Sequence, residues 1–219
     1  MVIHFTRAIA YAFGSVMWFI SITKLPLSVV MTIGSTSTIW NILASMLFLN
    51  EKFTLPKFTA VSIGIFGSIM MIFHKMSFCI TINFYLFSPI LANICYAMCN
   101  VLAKKMKNEN ENIMTFYMLL FSLPIIGIFI GYDCSKIFHI NLISLLILFQ
   151  AILSVTSYYF TNKAVKFAGL IYLVPFGLVR PLIGYVVGVI FFKENINIVQ
   201  ILGSILIFSS CLIAAKSTE

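Results

Sequence analysis

The sequence predicts an all-α, polytopic helical membrane protein of about eight transmembrane helices with an inverted internal repeat. Three observations predict it. Hydrophobic residues make up 61% of the 219 and charged residues 9%, with a mean hydropathy of +1.07, whereas a soluble domain is about a quarter charged. The apolar residues run continuously instead of alternating at period two. In hydrocarbon every backbone N–H and C=O has to be satisfied within the protein, so such runs read as helices and not as barrel strands. Lastly, two stretches of the chain align at a fixed offset.

A span needs roughly 17–25 mainly apolar residues. In chain order the candidates are Phe5–Thr23, Leu27–Leu49, Pro56–Phe73, Phe84–Ala103, Ile113–Tyr132, Leu142–Asn162, Leu170–Phe192 and Ile198–Ala215. Short links such as Lys24-Leu25-Pro26, Asn50-Glu51-Lys52 and Lys166-Phe167-Ala168-Gly169 make neighbouring helices antiparallel. The first run, Ala8 to Ile22, contains Trp18 and lacks a small-residue cleavage site, so it reads as a retained span and not as a signal peptide. The longest polar connection, Lys104 to Asn112, is too short to fold alone.

Alternate connections divide the basic residues. Arg7, Lys52, Lys57, Lys104, Lys105, Lys107, Lys163, Lys166 and Lys216 fall on one side, and Lys24, Lys75, Lys136 and Lys193 on the other. The richer side is cytoplasmic by the positive-inside rule. The expected location is therefore a bacterial-type inner membrane, multi-pass, with both termini in the cytoplasm. This distribution accounts for the net charge of +8 without a nucleic-acid partner. The five cysteines (Cys79, Cys95, Cys99, Cys134, Cys211) form no C-x-x-C pair and no His/Cys cluster, so neither a metal nor a cofactor is expected. All six acidic residues lie in connections or at the terminus, His4, His74 and His139 lie near span ends, and H-E-x-x-H and G-x-S-x-G are absent. Catalysis is not expected.

Residues 8–75 and 151–218 align without a gap at an offset of 143. Leu49-Asn50-Glu51-Lys52-Phe53 falls on Phe192-Lys193-Glu194-Asn195-Ile196, and Leu27 on Leu170. The Glu51 turn is cytoplasmic by span parity and the Glu194 turn lies on the far face. Two like units of opposite orientation are an inverted repeat, common in secondary transporters.

Several features carry a family resemblance. They are Arg7, the run Ile22-Thr23-Lys24-Leu25-Pro26-Leu27, the turn Phe48-Leu49-Asn50-Glu51, and Pro181 followed thirteen residues later by Glu194. Small residues then follow each Glu at nine and sixteen positions: Ala60 and Gly67, Gly203 and Ser210. With these the chain resembles the drug/metabolite transporter superfamily, EamA type. The resemblance implies a transporter working by alternating access on an amino acid-like or other small metabolite, and Arg180 tilts the expectation towards an anionic one. Its partners would be the lipid bilayer and the small-molecule substrate, with a homodimer left open. Where the family has five spans in each half, here three precede Phe84. The expected units are thus residues 1–75, a first repeat without its first two helices, and residues 84–219, a second repeat of five. The rival reading is a non-transporting membrane remnant or a helical partner subunit.

The substrate-site candidates follow from the repeat. Arg180 falls inside the span Leu170–Phe192, where a cation costs about 2.5–3.5 kcal/mol on insertion scales unless it faces a cavity or the bundle interior. Pro175, Gly177 and Pro181 disturb the helix around it. A break there would aim the guanidinium at an anionic substrate group. The bland alternative is that it satisfies freed carbonyls or snorkels. The corresponding positions of the first half hold Ser35, Thr36 and Thr38, hydroxyls that could bond substrate or pack helices closely. Asn41 and Trp18 complete the expected set. Trp40, Asn93, Asn100, Gln150 and Tyr158 are lesser candidates. Glu51 and Glu194, beside Lys52 and Lys193, read as interfacial ion pairs.

Overall fold

The structure is a computed structural model in which residues 1–25, 30, 33–51, 54–73, 84–130, 142–179, 183, 186, 190 and 198–216 are described. These form α1 (Val2–Lys24), α2 (Ser37–Leu49), α3 (Leu55–Phe73), α4 (Phe87–Lys105), α5 (Glu111–Ile130), α6 (Leu142–Phe167), α7 (Leu170–Gly177) and α8 (Ile198–Lys216). A single 3₁₀ turn, Phe84–Leu86, leads into α4. There is no strand among the described residues. Every expected span has helix among its described residues, and the chain is a polytopic helical membrane protein. α1, α5, α6 and α8 are each long and apolar enough to cross a bilayer, and Ile33–Leu49 and Leu55–Met70 are shorter apolar helices.

The end of α6 differs from expectation for a local reason, and that of α2 falls where expected. α6 continues past Asn162 to Phe167 because lysines can extend a membrane helix by laying their stems along it. The Lys163 ammonium lies 6.0 Å from the Tyr159 ring one turn back. α2 stops where Asn50 adopts the left-handed conformation (φ 52°), which Asn tolerates better than most residues. That turn aims Glu51 at the start of α7.

Packing follows the small residues. α3 and α8 are antiparallel, Gly64 facing Ser210 and Gly67 facing Gly203. A Cβ on Gly67 would stand 2.7 Å from the Gly203 carbonyl oxygen, so glycine there sets how closely the backbones meet. Ala60 and Ser210 are fully buried. α1 lies against α4 and α5. The approach is tight at Gly14, where a Cβ would be 3.1 Å from that of Cys95. α2 packs on α4 and α7, sharing with them a core of Ala44, Ala97, Val101 and Leu170. The outer surface is apolar, with Phe19, Leu47, Ile128 and Phe208 exposed, as a lipid-facing surface requires.

Candidate functional site

The polar groups at membrane depth gather where α1, α2 and α4 meet. The helical run Ile33–Leu49 is interrupted by a one-residue turn at Thr36, just before α2, whose dihedrals stay right-handed (φ −67°, ψ −11°). Three donors converge on the carbonyl of Ile33: the Thr36 amide (3.0 Å), the Thr36 hydroxyl (2.7 Å) and Asn93 Nδ2 (2.9 Å). Asn93 Nδ2 also reaches Thr36 Oγ1 at 3.3 Å. Seven residues on, hence two turns along the same face of α4, Asn100 Nδ2 donates to Asn41 Oδ1 (2.9 Å), and Asn41 Nδ2 donates to the Ser37 carbonyl (2.8 Å). Two carboxamides of α4 thus staple the break before α2. A broken helix at membrane depth is tolerated only where such partners or a cavity satisfy its backbone.

Of the expected residues, the structure brings Trp18, Thr36 and Asn41 into this region. The Trp18 ring rests on Gly34, whose Cβ, if present, would be 3.0 Å from Cη2. Thr36 and Asn41 are committed to helix–helix hydrogen bonds in this state. Thr38 is buried and Ser35 half-buried. Arg180 and Pro181 lie outside the described residues, as do Glu194, Lys52 and Lys193. On the second-half side, Leu178 makes a tight turn onto Pro175 (3.1 Å), and the Cys211 thiol donates to the Pro175 carbonyl (3.4 Å). At the offset of 143 this turn comes within one residue of the break at Thr36.

Beside this region Tyr11, Tyr96 and Tyr158 cluster. The Tyr11 and Tyr158 rings meet edge to face at 5.1 Å, and Tyr96 lies 6.2 Å from Tyr11. The Tyr96 hydroxyl donates to Ser15 Oγ at 3.4 Å.

The sequence offers Arg7 as a topology charge and as part of the family resemblance, and here the structure adds a role. Arg7 is 2% exposed. It donates to the Met114 carbonyl (3.2 Å) and to Asn162 Oδ1, and Asn162 Nδ2 donates to Thr115 Oγ1 (2.8 Å). Its Nε has no hydrogen-bond partner among the described residues. One turn earlier, His4 pairs with Glu109 at 2.6 Å. The available signal was an Arg and a His three apart at the head of an apolar run, with an Asn at membrane depth in α6.

For Glu51 the ion-pair reading with Lys52 lies outside the described residues, and the structure shows a further role. Its two carboxylate oxygens accept the Leu170 and Ile171 amides (3.0 and 3.1 Å) and so cap α7, where the unpaired N–H groups and the dipole favour an anion. Gly169 leaves room, since a Cβ there would stand 3.2 Å from the carboxylate. The Lys104 ammonium donates to the Ala168 (2.7 Å) and Lys166 (3.3 Å) carbonyls at the end of α6. Burial holds its pKa below the ordinary lysine value, and the nearby Glu51 charge works in the opposite direction. Lys166 pairs with Glu111 at 3.0 Å. A hydrogen bond from its own backbone, and then Lys166, hold the Glu111 carboxyl below its usual range. These bonds close the end of the bundle that carries most of the basic residues.

The described residues form a polytopic helical bundle with an amide-stapled helix interruption at membrane depth, the kind of feature transporter folds use. The model of the EamA-like transporter family matches residues 2–73 and 83–215, and the chain belongs to that family. It is a small-molecule membrane transporter by family. A riboflavin transporter of Brucella anthropi is 28% identical over 216 residues, 96% of this chain and 75% of that protein. A protein of known crystal structure superposes with a TM-score of 0.81 at 10% identity, over 97% of this chain and 75% of the other. That likeness speaks for the fold alone.

Proposed function

We propose that the chain carries a small metabolite with a flat, hydrogen-bonding ring system, of the riboflavin kind, by alternating access of two inversely oriented repeats. The observation carrying the substrate class is the character of the side chains at membrane depth. Trp18, Tyr11 and Tyr158 offer aromatic faces, Asn41 and Asn100 offer amides, and no carboxylate lies at that depth among the described residues. Ring systems stack on aromatic faces, and a few polar groups orient them. The relative's riboflavin transport supports the same class.

Alternating access rests on the repeat. The units proposed are residues 1–75 and 84–219. At the offset of 143, Leu55–Phe73 (α3) maps onto Ile198–Lys216 (α8) end to end. The two pack antiparallel, while α1 and α6 meet through long side chains, Arg7 with Asn162 and Tyr11 with Tyr158, in the same antiparallel order. Antiparallel contact between repeat mates is what inversion demands. The membrane is proposed to be the bacterial inner membrane, with both termini cytoplasmic.

One observation favours a second reading, an anionic or amino acid-like substrate. Arg7 is a buried cation with no carboxylate partner and a free Nε among the described residues, and Arg180 would add a further cation. Vesicles containing the chain, loaded with riboflavin, flavin mononucleotide or alanine, separate the two. Riboflavin flux that falls at least tenfold in Trp18→Ala is expected. Preference for the phosphorylated flavin or alanine would favour the second reading. No flux of any of the three would contradict transport of either class.

A further inference from the structure

On its outer side the bundle carries a groove between α5 and α6 that none of these roles uses. Its volume is about 480 Å³, lined by Asn112, Thr115, Phe116, Leu120 and Leu123 from α5 and by Val155 and Tyr159 from α6, among others. We propose that it holds one acyl chain of an anionic phospholipid of the cytoplasmic leaflet, with Lys163 as the headgroup cation.

The groove is functionally apolar although two threonines line it. Thr115 donates to the Glu111 carbonyl (2.8 Å) and Thr156 to that of Ile152 (2.9 Å), so each hydroxyl proton is spent on its own helix. From Asn112 to Leu123 the groove follows about 16 Å of helix at 1.5 Å per residue, close to half of a hydrocarbon core of about 30 Å. It therefore spans a single leaflet. A helix about 10–12 Å across would displace more than about 1,000 Å³ over that length, twice the space present. A single methylene chain fits the shape better.

The headgroup end is set by charge. Tyr159 lines the groove, and the Lys163 ammonium stands 6.0 Å from its ring. The nearby acid, Glu111, is paired with Lys166. No carboxylate lies within salt-bridge distance of Lys163 among the described residues, so its ammonium is available to a headgroup phosphate. This end carries most of the chain's basic residues and faces the anionic leaflet.

Native mass spectrometry of the purified chain with palmitoyl-oleoyl-phosphatidylglycerol or the matching phosphatidylcholine tests the site. Phosphatidylglycerol is expected to be retained in preference, and Lys163→Gln to cut that preference about fivefold, the effect of one interfacial lysine. Leu120→Trp, at a lipid-exposed position that folding tolerates, fills the groove and is expected to remove retention of both lipids. Equal retention of the two lipids by the native chain would overturn the proposal, as would a headgroup preference unchanged in Lys163→Gln. Full retention by Leu120→Trp would do the same, placing the lipid elsewhere. Flux measurements play no part, so failure here leaves the proposed transport untouched.

Discussion

α1 and α6 occupy the same register of the two repeats, yet one is covered and the other bare. In its most apolar stretch 39% of α1 is buried, against 0% of α6. The pairing at offset 143 shows it residue by residue. Ala8 and Ala12 are fully buried, while Ala151 is exposed and Val155 is 44% exposed. Gly14 lies under Cys95 and Tyr96, while Ser157 is exposed. Both stretches are helical and both are apolar. Burial is therefore set by neighbours, not by the helix. α1 lies between α4 and α5. α6 touches α4, α5 and α7 along one edge, and no second helix pair covers its other side among the described residues. The bare face compensates locally: the hydroxyls of Ser154 and Thr161 donate to carbonyls four residues back (2.9 and 2.8 Å).

The comparison breaks most readily at Arg7. Arg7→Ala removes the charged donor to the Met114 carbonyl and to Asn162 Oδ1. Hydrogen bonds from a charged donor contribute about 1.5–3 kcal/mol each, so a loss of about 3 kcal/mol is expected in detergent unfolding. The mate of Arg7 is Gln150, exposed on α6, and Gln150→Ala is expected to change stability by less than about 0.5 kcal/mol. Gly14→Leu against Ser157→Leu sharpens the contrast. The first overpacks α1 against α4 and costs about 1–3 kcal/mol, and the second is expected to be near neutral in the same assay. A similar cost for both would mean that α6 is covered after all.

Smaller effects follow within the covered half. Asn100→Ala removes one interhelical bond to Asn41, worth about 0.6–1 kcal/mol in membrane proteins. Thermal unfolding in detergent should show it, together with faster exchange of the backbone around Thr36. The smallest effect is one of pH. The Glu111 carboxyl is depressed in the folded chain, so its contribution is present above the unfolded carboxylate pKa and is lost as pH falls through the folded one. Acid unfolding of Glu111→Gln should therefore converge with that of the native chain at low pH and diverge slightly at neutral pH.

Helix existence was legible because long apolar runs broken by Lys, Gly and Pro leave little choice of element. Partner choice was not, because lipid-facing and helix-facing apolar residues look alike in a sequence. Ala8 and Ala151 are the case in point. The small residues that carry the family resemblance, Ala60, Gly67, Gly203 and Ser210, all fall on α3–α8. In the candidate site Trp18, Thr36 and Asn41 were legible as polar or aromatic residues at membrane depth beside a helix break. The burial of Arg7 and the capping by Glu51 were not, since each depends on a partner more than a hundred residues away in sequence.

The most direct measurement joins the facing repeat mates. Tyr11→Cys and Tyr158→Cys, in a chain without its five native cysteines, place thiols where two rings now meet at 5.1 Å. A short bifunctional thiol reagent can bridge them. Riboflavin flux into vesicles should stop on cross-linking and return when a cleavable bridge is cut, because alternating access requires α1 and α6 to part. Flux that continues unchanged through the bridge would contradict alternating access by these two repeats.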